Sequence, residues 1–185
     1  MIQEPMPQVY LGKADSGSAV ISDCGKYRYS LTRRLVSKAV EVPKDKRVCF
    51  VMLNPSTADA WKDDPTIRKC IGFSERWGYY QLDVVNLFAY RATDPRELAR
   101  VGYPVGKDNA MALDNGFSFS SLVVVAWGEA IGVPRRMLSM ATEAAAGMMK
   151  IWGVQPRCLG KTKSGQPRHP LYVSYTTELE DWNAP

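Results

Sequence analysis

Three short, strongly apolar runs limit what this chain can fold into. They occupy residues 48–53, 82–87 and 122–126, and polar or turn residues bound each of them. Runs of this length that are rich in Val, Leu and Phe are typical of strands buried on both faces of a parallel sheet. A further segment, residues 156–159, predicts a last strand.

Helical segments alternate with these strands. Residues 64–66, Asp-Pro-Thr, predict a helix start because Asp is a good N-cap and Pro suits the first turn, and Gly78 predicts its end. Further helices are predicted to open at residues 94–98 and to span residues 107–115 and 134–149. The alternation predicts an α/β fold, a three-layer sandwich with a central, mainly parallel four-stranded sheet flanked by helices.

The N-terminal region has a different pattern. Residues 1–18 are rich in Pro, Gln and Gly and predict an extended arm. Residues 19–35 alternate around a turn signal at residues 23–26 and predict a β-hairpin. Because 185 residues suit one domain and no repeat interrupts them, residues 1–185 are expected to form a single domain.

Composition argues against several classes of protein. No apolar run is long enough to cross a membrane, and the N-terminus does not have the pattern of a signal peptide. The four cysteines form no CxxC pair, and Cys49 lies in an apolar run where a buried free thiol is expected. We therefore expect a cytoplasmic protein with no metal, cofactor or obligate protein partner. The net charge of +5 suits nucleic acid, or simply a basic enzyme.

Polar residues follow each predicted strand at its carboxyl end. Asn54 follows the first strand and Asn86 lies near the end of the second. Gly128 and Glu129 follow the third, and His169 comes after the last. Ligands of open parallel sheets bind beyond the carboxyl ends of the strands, so the sequence predicts one shared site there.

Two of these residues are asparagines, whose amides both donate and accept hydrogen bonds. Asn54 could hold a water or a substrate carbonyl, or form a turn with its own backbone. Asn86 lies within an apolar strand, where burial without a partner costs roughly 1–3 kcal/mol. Either protein or a ligand must bond it, and its amide matches the Watson–Crick edge of a pyrimidine. Phe88 could stack on such a base or pack in the core.

Carboxylates and the single histidine offer acid–base chemistry. Asp59 or Asp63 could activate water as a general base, whereas Asp64 is interpreted as a helix cap. A neutral His169 could donate a hydrogen bond to a developing oxyanion, or it could be an exposed loop residue. Residues that could contact phosphates are Gly128, Lys161, Lys163 and Arg168.

Taken in chain order, these segments resemble the motifs of the uracil-DNA-glycosylase superfamily. Residues 53–56, Leu-Asn-Pro-Ser, resemble its first motif, and residues 85–87 resemble its base-reading strand. Residues 124–130 are similar to its strand ending in Trp-Gly, and residues 169–171 to its His-Pro-Ser motif. The resemblance covers about residues 48–173, and it implies a fold of the uracil-DNA-glycosylase type.

A closer resemblance is to a domain of unknown function found in bacterial and phage proteins. Its hallmark is Leu-Asn-Pro-Ser-Thr-Ala-Asp followed by Asp-Asp-Pro-Thr, here residues 53–59 and 63–66. The chain is identified as a member of that family, which implies a fold but no reaction.

The glycosylase resemblance implies a role for each residue. A nucleotide would be flipped out of the stack, Asn86 would read its base, Asn54 would position water with Asp59 or Asp63, and His169 would stabilise the departing base. The residues implied to surround them are Ser56 and Phe88 at the base, Gly128, Glu129, Lys161, Lys163 and Arg168 along the backbone, and Leu171 or Tyr172 as a wedge in the vacated stack.

The expected function is therefore a DNA glycosylase that hydrolyses the N-glycosidic bond of a modified or damaged base. Ser56 stands where the superfamily has Gly, and Leu171 where it has Ser. These departures leave open an enzyme of the same fold that processes nucleotides or modified bases without flipping. The arginines at 28, 33 and 34 leave open a non-catalytic nucleic-acid-binding protein.

Overall fold

The computed structural model describes residues 8–11, 17–35 and 46–183. The strands within these ranges are β1 (Gln8–Leu11), β2 (Gly17–Ile21), β3 (Arg28–Arg34), β4 (Arg47–Met52), β5 (Gln81–Asn86), β6 (Leu122–Val125), β7 (Arg157–Cys158) and β8 (Glu180–Asp181). The α-helices are α1 (Pro65–Arg76), α2 (Asn109–Ser118) and α3 (Arg135–Ile151). Short 3-10 helices span Pro95–Arg100 and Pro170–Tyr172.

The strands form one mixed sheet in the order β1-β2-β3-β5-β4-β6-β7-β8. Its middle strands, β5-β4-β6-β7, are parallel, and the outer pairings are antiparallel. The mixed α/β class is confirmed, but the predicted four-stranded sheet is too small. The N-terminal hairpin continues the sheet because β3 pairs with β5, and β8 extends the other side by pairing with β7.

Helices cover both faces of this sheet. Along β4, Val48 and Phe50 belong to the apolar cluster that contains the buried face of α1. Cys49 and Val51, which alternate with them, belong to the cluster that contains buried residues of α2 and α3. This alternation makes β4 apolar from Val48 onward and gives three layers, as the sequence predicts.

The N-terminal prediction is correct only in part. The hairpin is confirmed, because β2 and β3 pair antiparallel through a turn in which Gly25 has a φ of 70°. The extended arm over residues 1–18 is wrong for the described part, where β1 pairs with β2 and Gly17 already belongs to β2. Residues 1–7 and 12–16 lie outside the described residues.

Local capping chemistry sets where α1 begins. The Asp64 carboxylate accepts a hydrogen bond from the Ile67 amide at 2.9 Å, and Pro65 occupies the first turn. The same chemistry at Asp94 begins a 3-10 helix, where the carboxylate accepts from the Arg96 amide. Both helix starts are therefore confirmed.

Two further sequence expectations concern cysteines and membranes. All four cysteines are free thiols, and Cys49 is buried as expected. In the part of the chain that the structure describes, the helices are too short or too polar to cross a lipid bilayer.

Candidate functional site

The carboxyl ends of the parallel strands lie side by side. Met52 of β4 is in register with Asn86 of β5, and the Leu87 amide donates to the Met52 carbonyl at 2.9 Å. On the other side of β4, the Ala126 amide donates to the Val51 carbonyl at 2.8 Å. The segments that carry Asn54, Asn86 and residues 127–129 therefore leave the sheet at one edge.

Asn86 is the most unusual polar residue at this edge. Its side chain is completely buried, and neither the amide nitrogen nor the amide oxygen has a hydrogen-bond partner among the described residues. Its main-chain carbonyl is bonded, since the side-chain amide of buried Asn109 donates to it at 3.0 Å. Buried polar atoms without partners are rare in native proteins, and each requires an explanation.

Asn54 has a defined orientation. Its amide nitrogen donates to the carbonyls of Ala92 at 2.7 Å and Pro55 at 3.0 Å. Because two carbonyl acceptors fix the nitrogen, the amide oxygen must point the other way, and within the described ranges no donor bonds it. The residue is thus a turn-former, and it also offers a hydrogen-bond acceptor for a water or a ligand.

His169 is held as a neutral imidazole. The Leu171 amide donates to its Nδ1 at 3.3 Å, which leaves the proton on Nε2. Burial lowers the pKa of His169 from its ordinary value of 6.5, and the charge of Asp64 opposes that shift by raising it. At neutral pH this ring therefore has one N–H donor, on Nε2, which no main-chain carbonyl of the described residues accepts.

Gly128 brings the turn after β6 against His169. It has a φ of 73°, and a Cβ built there would lie 3.2 Å from the His169 Cβ, so a larger side chain would push the ring away. The Gly128 amide donates to the Pro167 carbonyl at 2.9 Å, and the Trp127 indole donates to Gln166 at 2.8 Å. These bonds join the turn after β6 to the loop before His169, which is about 40 residues further along the chain.

The predicted phosphate contacts at Gly128 and Glu129 need correction. The Gly128 amide is already used by Pro167 and is not free for an anion. Glu129 accepts from the Ser164 hydroxyl at 2.6 Å, and this hydrogen bond lowers the pKa of the carboxyl, which therefore stays charged and repels phosphate. Both residues position the loop that precedes His169.

Asp59 and Asp63 have structural partners that the sequence does not reveal. The Asp59 carboxylate accepts from the amides of Trp61 and Lys62, both at 2.8 Å, and closes a tight turn. Asp63 Oδ1 accepts from Nε of buried Arg33 and forms an ion pair with its Nη2, both at 2.8 Å. These contacts account for both carboxylates without a catalytic role, and the predicted role as a base stays a prediction.

Asp64 is the carboxylate that sequence reasoning missed. It caps α1, and its charge also acts on two other groups. Burial lowers the pKa of His169 and lowers that of Arg28 to about 10, and the charge of Asp64 opposes both shifts. A capping signal hides this second role, because the proximity to Arg28 and His169 arises only when α1 packs beside the 3-10 helix that follows His169.

Two arginines of the predicted basic region are not on the surface. Arg28 and Arg33 are 2% and 7% exposed. Arg28 donates to the Ala58 carbonyl at 2.8 Å, and its Nε has no acceptor in the described part of the chain. Of the three, Arg34 alone is exposed, which removes most of the support for a nucleic-acid-binding arm.

The remaining predicted residues fall into two groups. Phe88 is fully enclosed in the core cluster on the α2 and α3 face, so it presents no free ring face to a base. Ser56 lies near the surface and shares a 3.3 Å hydrogen bond with Thr93. The exposed residues next to His169 or on the loop before it are Lys161, Lys163, Arg168, Leu171 and Tyr172, of which Lys161 pairs with Glu180 at 3.6 Å.

Among the residues the structure describes, no group of three or more His, Cys, Asp or Glu side chains is arranged to hold a metal ion. The candidate site consists of the amides of Asn54 and Asn86, the neutral imidazole of His169 and the carboxylate of Asp64, whose charge acts on that imidazole.

The sheet and its polar edge define an α/β protein with a candidate ligand site beyond the carboxyl ends of parallel strands. The chain belongs to the family described as “Protein of unknown function (DUF1643)”, whose model matches residues 28–171. The predicted membership in a family of unknown function is thereby confirmed. No curated protein and no solved structure matches the chain, so the resemblance to uracil-DNA glycosylases stays a prediction.

Proposed function

We propose that this protein hydrolyses the N-glycosidic bond of a modified or damaged base in a nucleic-acid strand. The observation that carries the proposal is the Asn86 amide, which is fully buried at the end of β5 and has no partner for either polar atom among the residues that the structure describes. Leaving such an amide unbonded costs roughly 1–3 kcal/mol, so its presence in the core calls for a compensating function. A base edge with one donor beside one acceptor would satisfy both atoms at once, after the residues that enclose Asn86 move to admit it.

The neighbouring groups suit the bond-breaking step. When the bond between the sugar C1′ and the base nitrogen breaks, its electron pair moves onto the base. The Nε2–H of His169 would donate to a base oxygen and stabilise that charge, as a neutral donor in a water-poor site can. A water would add its oxygen to C1′, lose a proton to bulk solvent or to a carboxylate, and the departing base would take up a proton.

Asn54 would orient this water. Its amide oxygen is left as an acceptor because the nitrogen is held by the carbonyls of Ala92 and Pro55. An amide cannot accept the proton at neutral pH, so it positions rather than deprotonates the water. The charge of Asp64 raises the pKa of His169, whereas the Asp63 carboxylate is held by Arg33.

A strand is favoured over a free nucleotide by two exposed apolar side chains beside His169. Leu171 is 40% exposed and Tyr172 is 75% exposed. Large apolar groups at such a position could fill the space that a flipped base leaves. A nucleotide-processing enzyme remains the second candidate, since Asn86 would read a free base equally well.

A screen for released bases tests the proposal. The protein is incubated with single- and double-stranded oligonucleotides that carry uracil, deaminated, hydroxymethylated or glucosylated bases, and free bases are measured by mass spectrometry. Release that falls at least about 100-fold in His169→Gln supports the proposal. Release that is equal in the wild-type protein and in His169→Gln contradicts the site assignment. No release from any strand, with turnover of free nucleosides or nucleotides, supports the second candidate.

A further inference from the structure

A separate surface cavity of about 410 Å³ lies beside the Asn54 turn. Three segments that are distant in the chain line it: the turn between β2 and β3, the turn after β4 and the segment after β5. The lining residues that concern us are Gly25, Lys26, Ser56, Thr57, Arg91 and Thr93. They include two cations and three hydroxyls, and the lining contains no carboxylate.

We propose that this cavity binds a phosphate group. Lys26 and Arg91 supply positive charge, and the hydroxyls of Ser56, Thr57 and Thr93 supply neutral donors. This combination of charged and hydroxyl donors is typical of phosphate recognition in proteins.

The Arg91 side chain supports this assignment directly. Its Nη1 donates to the Gly25 carbonyl at 3.3 Å, which holds the guanidinium against the cavity wall. Its Nε is shielded from solvent and has no acceptor in the described parts of the chain. An anion in the cavity would accept from the guanidinium N–H groups that the Gly25 carbonyl does not use.

The walls of the cavity are fixed before any ligand arrives. The Arg91 amide donates to the Lys26 carbonyl at 2.9 Å, and the Ala92 amide donates to the Pro55 carbonyl at 2.9 Å. The hydroxyls of Ser56 and Thr93 lie 3.3 Å apart and join the same two segments as the hydrogen bond between Ala92 and Pro55. A preformed site loses less conformational entropy when it binds an anion.

The charges around buried Arg28 partly offset one another. Burial lowers the pKa of Arg28, the charge of Asp64 raises it, those of Arg91 and Arg33 lower it and that of Asp59 raises it. Asp94, the carboxylate next to Thr93 in sequence, is held by Arg96 at 2.9 Å. The positive charge at the cavity therefore comes from its own lining residues, Lys26 and Arg91.

The cavity adjoins the proposed active site through one residue. Ala92 lines the cavity, and its carbonyl accepts the hydrogen bond that orients Asn54. Phosphate binding by this cavity does not depend on the proposed function. The assignment of that phosphate to the substrate whose base Asn86 reads rests on the proposed function.

Two probes test the inference without requiring base release. The first is 2-deoxyribose 5-phosphate, with 2-deoxyribose as its neutral control. The second is a short oligodeoxythymidylate with a 5′-hydroxyl, which has internal phosphodiesters only. Binding is measured by isothermal calorimetry to the wild-type protein, to Arg91→Gln, and to Arg136→Gln, which removes an equal charge from the exposed start of α3.

We expect Arg91→Gln to weaken phosphate binding roughly tenfold, as the loss of one charge-assisted hydrogen bond should, while Arg136→Gln leaves it unchanged. An effect on the sugar phosphate alone identifies a terminal phosphate, and an effect on the oligonucleotide alone identifies a strand phosphodiester. Equal affinities in all three proteins for both probes, with unchanged melting temperatures, would overturn the inference.

The outcome is distinguishable from that of the proposed function. Binding through Arg91 without base release from any strand would keep the phosphate subsite and reject the glycosidic chemistry. Base release at wild-type KM in Arg91→Gln would keep the chemistry and reject the subsite.

Discussion

At the scale of single residues, the site combines groups whose protonation and orientation the fold determines. His169 is the one histidine in the chain, and its neighbours make it a neutral donor. The lowered pKa follows mainly from burial, which disfavours the imidazolium. A neutral ring at physiological pH is what a donor to a developing base anion requires.

A pH profile tests the role of His169. Since its pKa in the folded protein is lowered, the neutral ring and the stability it contributes are fully present above pH 6.5 and are lost as pH falls through the lowered value. Base release should therefore be constant above pH 7. It should decrease only at a pH below 6.5, the ordinary pKa of histidine. The residual base release of His169→Gln should not show this decrease at acidic pH. If the variant shows the same decrease as the wild-type protein, the decrease is due to the titration of another group.

The sequence predicts Asp63 as a candidate general base, whereas its contacts with Arg33 indicate a structural role. Arg33 is 7% exposed, so removal of its partner in Asp63→Ala should cost about 3 kcal/mol of unfolding free energy, measured in urea. In Asp63→Asn, which keeps the shape, base release should change by less than about tenfold. A loss of roughly 100-fold or more would indicate a general base instead.

At the scale of elements, α1 connects the helix cap to the site. Asp64 accepts the Ile67 amide, and its charge raises the pKa of His169. One carboxylate thus stabilises a helix start and supports the protonated ring across the edge of the sheet. The two effects are separable, because Asn caps helices about as well as Asp but carries no charge.

The comparison of Asp64→Asn with Asp64→Ala tests this connection. Asp64→Asn should keep the hydrogen bond that caps α1 and lower the pKa of His169 further, followed by NMR titration of the single imidazole; its loss of stability should come from buried Arg28, whose charge Asp64 also stabilises. Asp64→Ala should lower that pKa similarly and also lose about 0.5–2 kcal/mol of stability. An unchanged His169 pKa in both variants would mean that Asp64 lies too far away to act.

The elements that sequence reasoning predicts are those with a local signal. The apolar runs predict β4, β5 and β6, and the Asp-Pro pair at residues 64–65 predicts the start of α1. The β1 and β8 strands are not predicted, because each is a short edge strand whose conformation depends on a distant pairing partner. Glu180–Asp181, two exposed carboxylates, gives no strand pattern at all.

The same limit applies to the site. The carboxyl ends of parallel strands lie at one edge of the sheet, and each strand can be recognised from its own sequence. The polar residues that follow the strands, Asn54, Asn86 and His169, are therefore predicted to share that edge. The burial of Arg28 is not predictable, because its acceptor at Ala58 lies 30 residues away. The cavity around Arg91 needs three separate segments to meet, and no single segment carries its signal.

At the scale of the whole molecule, the net charge of +5 gives a weak general attraction for nucleic acid. The exposed cations near the site, Lys163 and Arg168, lie on the loop that ends at His169. Each phosphate contact should release counterions when a strand binds, whereas distant surface cations should not.

Salt dependence measures how many of these cations contact the strand. For a single-stranded oligonucleotide, the slope of log affinity against log salt should decrease in magnitude by about 1.4 in a variant that combines Lys163→Gln and Arg168→Gln, which is about 0.7 per lost contact. Fluorescence anisotropy from low to moderate salt provides the slope. A slope equal to that of the wild-type protein would place the loop away from the strand.

The central claim is that the side-chain amide of Asn86, which has no hydrogen-bond partner among the described residues, reads a base. The most direct test compares Asn86→Leu with Asn109→Leu, measuring both the unfolding free energy and single-turnover base release. Leu keeps the branching of Asn and removes its polar atoms. Asn109→Leu is the matched control, because the Asn109 amide nitrogen donates to two main-chain carbonyls, whereas its Oδ1, like both polar atoms of Asn86, has no partner among the described residues.

We predict that Asn109→Leu loses about 1–3 kcal/mol, whereas Asn86→Leu keeps or gains stability and loses base release. The account would be contradicted by an Asn86→Leu protein that is destabilised as much as Asn109→Leu and still releases base at the wild-type rate.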